Sequence, residues 1–115
     1  MKINADLRER ALVKSAEIDW VSSPSTGVER KMLERDGDEV ARATSIVRYA
    51  AGSAFDAHSH DMGEEFLVLK GTFSDEHGDY PAGTWLRQPD GSRHSPYSEI
   101  GCVLYVKRGH LPAIE

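Results

Sequence analysis

Apolar positions along the chain fall in short segments broken by glycine and proline, and the punctuation is densest in the second half, where Gly71, Gly78, Pro81, Gly83, Pro89, Gly91 and Pro96 lie in one stretch. Many short apolar segments between turn signals predict an all-β sandwich or barrel. Three segments carry the strand signal most clearly. Residues 39–51 contain Val40, Thr44, Ile46, Val47 and Tyr49, which suit a pleated surface. Residues 65–70 are apolar on both parities in their middle, as in a strand covered on both faces, and residues 102–107 are similar. Turns are expected at Arg35-Asp36-Gly37-Asp38, His77-Gly78-Asp79 and Asp90-Gly91, because glycine accepts positive φ and aspartate bonds nearby backbone. Leu7, Ala11, Leu12 and Ile18 are roughly helically spaced, but Ala11-Leu12-Val13 also suits a short strand. The first twenty residues are therefore expected to form a strand or an irregular arm. Residues 21–27 read as a loop. The expected organisation is one domain over 1–115, with an N-terminal arm at 1–20 and a core at 28–108.

Composition narrows the classes. A chain of 115 residues fits one domain and can bury a core without disulfides. The formal net charge of −5 argues against a nucleic-acid-binding module, which normally carries a basic face. The longest uninterrupted apolar run is Phe66-Leu67-Val68-Leu69, far short of the roughly 20 residues of a membrane-spanning helix. With no apolar signal segment at the start and a single cysteine, Cys102, the expectation is a cytoplasmic protein with no membrane partner.

Candidate chemistry centres on His58-Ser59-His60. In a strand, residues of equal parity share a face, so His58 and His60 would point the same way. Glu64 has the same parity, although Asp61-Met62-Gly63 suggests a bend between them, and His94 follows the Pro89–Arg93 turn. Three imidazoles and a carboxylate converging in a barrel would hold one divalent metal ion. His-x-His alone is more often a solvated pair at a strand end than a metal site.

The surrounding residues change that balance. The spacing Gly52-x5-His58-x-His60-x3-Glu64-x6-Gly71, then Gly83-x5-Pro89-x-Gly91-x2-His94, resembles the two sequence motifs of the cupin superfamily. The final Asn of the second motif is replaced by Ser98, which does not touch the ligand set. Gly52 and Gly71 are expected at strand ends, Gly83 at a hairpin, and Pro89 with Gly91 in the tight turn that delivers His94. The run from Gly63 to Gly71, Phe73 to Thr84, Gly101-Cys102, Val106-Lys107 and, upstream, Trp20, Pro24, Gly27-Val28 and Arg42–Ser45 are similar to the ChrR-like cupin family over residues 15–108.

That resemblance implies a double-stranded β-helix, the jelly-roll barrel of cupins. It implies metal ligation by His58, His60, Glu64 and His94, with Glu65 as the competing carboxylate. Zinc or iron leads among the metals it implies, with manganese, nickel or cobalt compatible with the same donors. The anti-sigma activity of ChrR is not implied, since no His/Cys zinc cluster precedes Gly52. Two functions follow from the likeness. One is a ligand- or oxidant-responsive binding or sensor module; the other is a ferrous dioxygenase acting on a small diketone or hydroxyketone. A homodimer is expected, since closed two-fold pairs are the commonest oligomers and cover sheet edges.

Other residues read more plainly. Cys102 is expected as a buried small hydrophobe rather than a redox thiol. His77 is expected to stabilise its turn and His110 to be solvated. Tyr49, Trp85 and Tyr97 are core or edge aromatics that could line a pocket. Arg48, Arg87 and Arg93 are assigned to the surface, and the mixed-charge run 28–35 to a solvated strand or turn.

Overall fold

Alternation of inward apolar and outward polar residues organises the molecule. The computed structural model describes residues 1–38, 41–55, 58, 59 and 61–112, with only the backbone of His58 and Ser59. In chain order the strands are β1 (Lys2–Ile3), β2 (Val21–Ser22), β3 (Val28–Gly37), β4 (Ala41–Tyr49), β5 (Ser53–Ala54), β6 (His58–Ser59), β7 (Glu64–Asp75), β8 (Gly78–Pro81), β9 (Trp85–Gln88), β10 (Arg93–His94), β11 (Tyr97–Ser98) and β12 (Cys102–Arg108). Among the described residues there is no α-helix, only a 3-10 turn at Ser15–Glu17. Among the described residues, no helix is long and apolar enough to cross a membrane.

All the pairings are antiparallel, and the main path runs β1-β3-β4-β12-β7-β11-β5. Strand β7 joins two surfaces. Its first half lies between β12 and β9, while its second half pairs with β8 and β11. The sheet thereby curls over itself into the double-sheet barrel expected from the sequence. Val28, Tyr49, Phe66, Val68, Phe73, Leu104 and Val106 fill part of the interior. Edge-to-face contacts join Tyr49 to Phe73 at 5.3 Å and Phe66 to Phe73 at 4.9 Å between ring centroids.

Two β-bulges set which side chains face inward. In β3, Met32 opposes Ser45 and Glu34 opposes Thr44, so Leu33 is the extra residue. In β7, Val68 opposes Leu104 and Lys70 opposes Val103, so Leu69 is extra. Each inserted residue shifts the parity of everything after it. Val28 and Arg30 face the interior before the first bulge and Arg35 after it; Glu64, Phe66 and Val68 face inward before the second, and Phe73 and Asp75 after it.

Several expectations are corrected here. The strand at 65–70 is longer and one-sided: Phe66 and Val68 are buried, but Leu67 and Leu69 are exposed. Gly71 lies inside β7 rather than at its end, at φ +73°, where a Cβ would sit 2.1 Å from the Gly101 carbonyl oxygen. Residues 35–37 continue β3 instead of turning, because they pair with both β1 and β4. Residues 21–22 of the expected loop form β2. The expected start of the 39–51 strand at Glu39 and Val40 lies outside the described residues.

The N-terminal arm is mostly irregular and crosses the outer face. Asn4 Nδ2 donates to the Leu33 carbonyl at 2.8 Å, and Lys31 Nζ donates to the Ser15 carbonyl at 2.7 Å. The Arg48 guanidinium lies 4.2 Å from the Trp20 ring centroid, with Lys31 Nζ at 4.9 Å.

Candidate metal and ligand site

The barrel holds an open-mouthed cavity of about 450 Å³, within the size range of small-molecule sites. Val28, Tyr49, Phe73 and Leu104 form apolar wall, while Glu64, His94, Arg30, Arg35 and Arg108 supply charge or titratable groups.

Glu64 opens β7 after a bend at Met62 (φ +59°) and Gly63 (φ +71°). The bend is enforced from outside: a Cβ on Gly63 would lie 2.5 Å from Leu111 Cδ1 and 2.8 Å from the Gln88 carbonyl oxygen. Desolvation pushes the Glu64 carboxyl up to about 7, against the opposing pull of the Arg108 guanidinium. Glu65 points to the other face. Its Oε2 accepts from Arg87 Nε at 2.6 Å, and its Oε1 lies 2.8 Å from His110 Nε2. Those bonds, led by His110, hold the Glu65 carboxyl below its ordinary value. The two adjacent carboxylates therefore face opposite sides of the sheet.

His94 closes the Pro89–Arg93 turn, which is pinned by the Ser92 N–H donating to the Pro89 carbonyl at 3.0 Å. It is only 2% exposed. Its Nδ1 lies 3.5 Å from Asp75 Oδ2, and both side chains are almost wholly buried. Asp75 Oδ1 in turn accepts from Tyr80 Oη at 2.8 Å and from the His77 backbone N–H at 2.8 Å. Burial and this bond push the Tyr80 phenol up to about 12.

His58 sits directly opposite His94 in the β6–β10 pair. Cross-strand partners share a face, so the backbone places residue 58 beside His94. The His58 side chain and His60 lie outside the described residues. Among the described residues, no three histidine, cysteine or carboxylate side chains gather as a metal cluster.

The remaining candidates sort themselves by burial. Cys102 is buried, and desolvation pushes its thiol up. Tyr49 lines the cavity with its phenol shifted up by burial, whereas Trp85 is 54% exposed. The His77 ring is exposed on its turn. His110 is corrected from solvated to partly buried, because Glu65 holds it. The mixed-charge run is corrected too: Arg30 and Arg35 line the cavity, and Arg35 is only 2% exposed. Sequence reasoning missed Asp75, Arg30, Arg35 and Arg108. The inward facing of Arg35 and Asp75 depends on the two bulges, which no local residue pattern announces, while Arg30 shares parity with Val28 and Arg108 with Leu104 and Val106.

Comparison with known proteins places this architecture. The family model of the ChrR cupin-like domain matches residues 8–112. The chain belongs to this cupin family. Its fold is similar to a protein described as an acetylacetone dioxygenase from Methylibium petroleiphilum PM1, with a TM-score of 0.77 and 24% identity over 87% of this chain and 76% of that one. An acetylacetone dioxygenase from Acinetobacter johnsonii gives a TM-score of 0.75 and 22% identity over 87% of this chain and 74% of that one. The complex of Rhodobacter sphaeroides SigE with the anti-sigma ChrR gives a TM-score of 0.69 and 24% identity, covering 83% of this cupin but 51% of the matched chain. No curated protein matches the chain significantly.

Proposed function

We propose that this cupin is a metal-dependent small-molecule-binding module, with one divalent ion held by His58, His60, Glu64 and His94 beside the barrel cavity. The observation that carries the reading is the buried pairing of His94 with Asp75 on a cavity wall that also presents Glu64. Metal-bound histidines commonly direct their second ring nitrogen to a carboxylate, which fixes tautomer and ring orientation. Zinc and iron head the candidate metals, with manganese, nickel and cobalt suited to the same donors.

The residues present fit such an ion. A carboxylate whose charged form is penalised by burial gains most from a cation at that place, and the backbone pairing of residue 58 with His94 would let a second imidazole join the set. When bound, the ion would polarise an oxygen of the small molecule or support redox chemistry with dioxygen. Asp75 orients His94, and Tyr80 and the turn at His77 hold Asp75.

Binding and sensing of a ligand or oxidant is the function this arrangement supports best. A ferrous dioxygenase of a small diketone or hydroxyketone is the second reading, favoured by the fold likeness to the Acinetobacter johnsonii acetylacetone dioxygenase and to the Methylibium petroleiphilum protein described as one. The test is metal content of protein purified without added metal, followed by oxygen uptake of the iron-loaded form with diketones and hydroxyketones. Stoichiometric metal with no turnover supports the binding module. Steady oxygen consumption with product transfers the case to the enzyme. Protein that retains no divalent metal at all defeats both.

A further inference from the structure

We propose that Asp90 is a positioning residue for the metal site: from the turn that carries His94, its carboxylate holds the bend that aims Glu64 into the cavity. This rests on the reading of Glu64 and His94 as metal ligands, and adds the contact that ties one to the other. Glu64 is the first residue of β7 and pairs with Arg108 and Gln88, the last residues of β12 and β9. All three strands end on this row, so sheet pairing alone leaves Glu64 at a fraying end. The chain enters it through two left-handed residues, Met62 at φ +59° and Gly63 at φ +71°. Glycine adopts that region freely, but the Cβ of Met62 crowds the following carbonyl oxygen. A bend of this kind persists where surrounding contacts hold it.

Those contacts come from parts of the chain distant in sequence. The Met62 N–H donates to Asp90 Oδ1 at 2.6 Å. The Met62 carbonyl accepts from the Leu111 N–H at 2.9 Å, and the Gly63 carbonyl from the Gly109 N–H at 2.9 Å. The C-terminal segment thus takes the carbonyls of the bend, while Asp90 takes the N–H with a side chain. The platform under Asp90 is stiff. Pro89 has its φ fixed by its ring, and its carbonyl accepts from both the Ser92 N–H at 3.0 Å and Ser92 Oγ at 2.6 Å. Four residues after Asp90 comes His94, which lines the same cavity as Glu64. The bond between Asp90 and Met62 therefore fixes the two delivering segments against each other. An ionised acceptor makes it a strong bond. It lies at the surface, where water competes for both groups, so its loss should loosen the bend without unfolding the barrel.

The test is zinc and cobalt(II) binding by the full chain after chelator treatment, measured by competition with a chromophoric chelator. Asp90→Ala should bind zinc about tenfold more weakly than wild type, as on removal of a group that orients a ligand. Its cobalt absorption spectrum should move towards that of Glu64→Gln. Asp90→Asn keeps a side-chain oxygen for the Met62 N–H, and should stay within about threefold of wild type. Added to Glu64→Gln, Asp90→Ala should change zinc affinity by less than about threefold, since residues that act through one another are not additive. Wild-type affinity in Asp90→Ala overturns the proposal, as does the full loss in the Glu64→Gln background. An Asn variant as weak as the Ala variant also overturns it, because the carboxylate would then act by charge. Amide hydrogen exchange of metal-free protein gives a second readout. Residues 62–64 should exchange faster in Asp90→Ala than in wild type or Asp90→Asn, with residues 102–107 unchanged. Equal exchange at 62–64, or faster exchange at 102–107 as well, rules out a local hold on the bend. If wild-type protein takes up neither ion, the metal reading fails separately, and the exchange experiment still decides whether Asp90 holds the bend.

Discussion

Replacing Glu64 with glutamine should stabilise the metal-free barrel above neutral pH and do nothing for it in acid. The Glu64 carboxyl is raised from an ordinary 4.5 to about 7, chiefly by desolvation. A raised acid pKa means that the folded state holds the proton more tightly than the unfolded state. Below about pH 4.5 both states are protonated and the group costs nothing. As pH rises towards 7 the unfolded chain ionises first, and folding stability is lost progressively. Above 7 the loss is complete. The shift of about 2.5 units corresponds to about 3 kcal/mol at pH 8, since each unit is worth about 1.4 kcal/mol. At pH 5.5 linkage leaves about 1 kcal/mol, and at pH 4 almost none. Urea melts of chelator-treated wild type and Glu64→Gln from pH 4 to 8 would show the two stability curves diverging by these amounts, with other titrating groups cancelling in the difference. Parallel curves across the whole range would refute the reasoning. Metal should reverse the order, because the ion binds the deprotonated carboxylate and is lost as acid protonates Glu64 and the histidines.

Four further outcomes are expected. His94→Ala should abolish metal retention measured by mass spectrometry, Asp75→Asn should weaken it about 10- to 100-fold, and Glu65→Gln should leave it near wild type. Gly71→Ala should cost about 4 kcal/mol or more in a denaturant melt, since the Cβ would overlap the Gly101 carbonyl at a positive φ; a loss below 1 kcal/mol would mean the strand relaxes there. Cys102 should resist a thiol reagent in native protein and react on unfolding, because it is buried with its thiol shifted up. We also propose that the chain pairs with a second copy, covering outward apolar residues such as Leu69 and Trp85, which are 49% and 54% exposed; a sedimentation mass of one chain at micromolar concentration would contradict this.

Much of the fold was legible along the chain. Turn residues and short apolar segments predicted an all-β barrel; the strand at Ala41–Tyr49 lies where β-branched and aromatic residues suit a pleated surface, and Cys102–Arg108 where a run is apolar on both parities. The opposite facing of Glu64 and Glu65 followed from strand parity alone, since it compares neighbours within one regular stretch. The motif spacing singled out His94, and the turn that delivers it is the one Pro89 and Gly91 predict. His58 and His94 meet by register, a relation that spacing implies only through a known family.

What only the tertiary structure decided is the rest of the cavity. Residues 28–35 look like a solvated run of mixed charge, yet two of their arginines face the interior. Asp75 carries no mark of its partnership with His94. The inward facing of Arg35 and Asp75 depends on single extra residues, Leu33 and Leu69, that reverse parity partway along a strand. Side-chain alternation is a local property with period two, and any sequence pattern assumes it continues. A bulge breaks that assumption when pairing with two neighbouring strands at once favours the insertion. Those neighbours, Thr44 and Ser45 for β3 and Val103 and Leu104 for β7, are distant in sequence, and so are the forces that turn Arg35 and Asp75 inward.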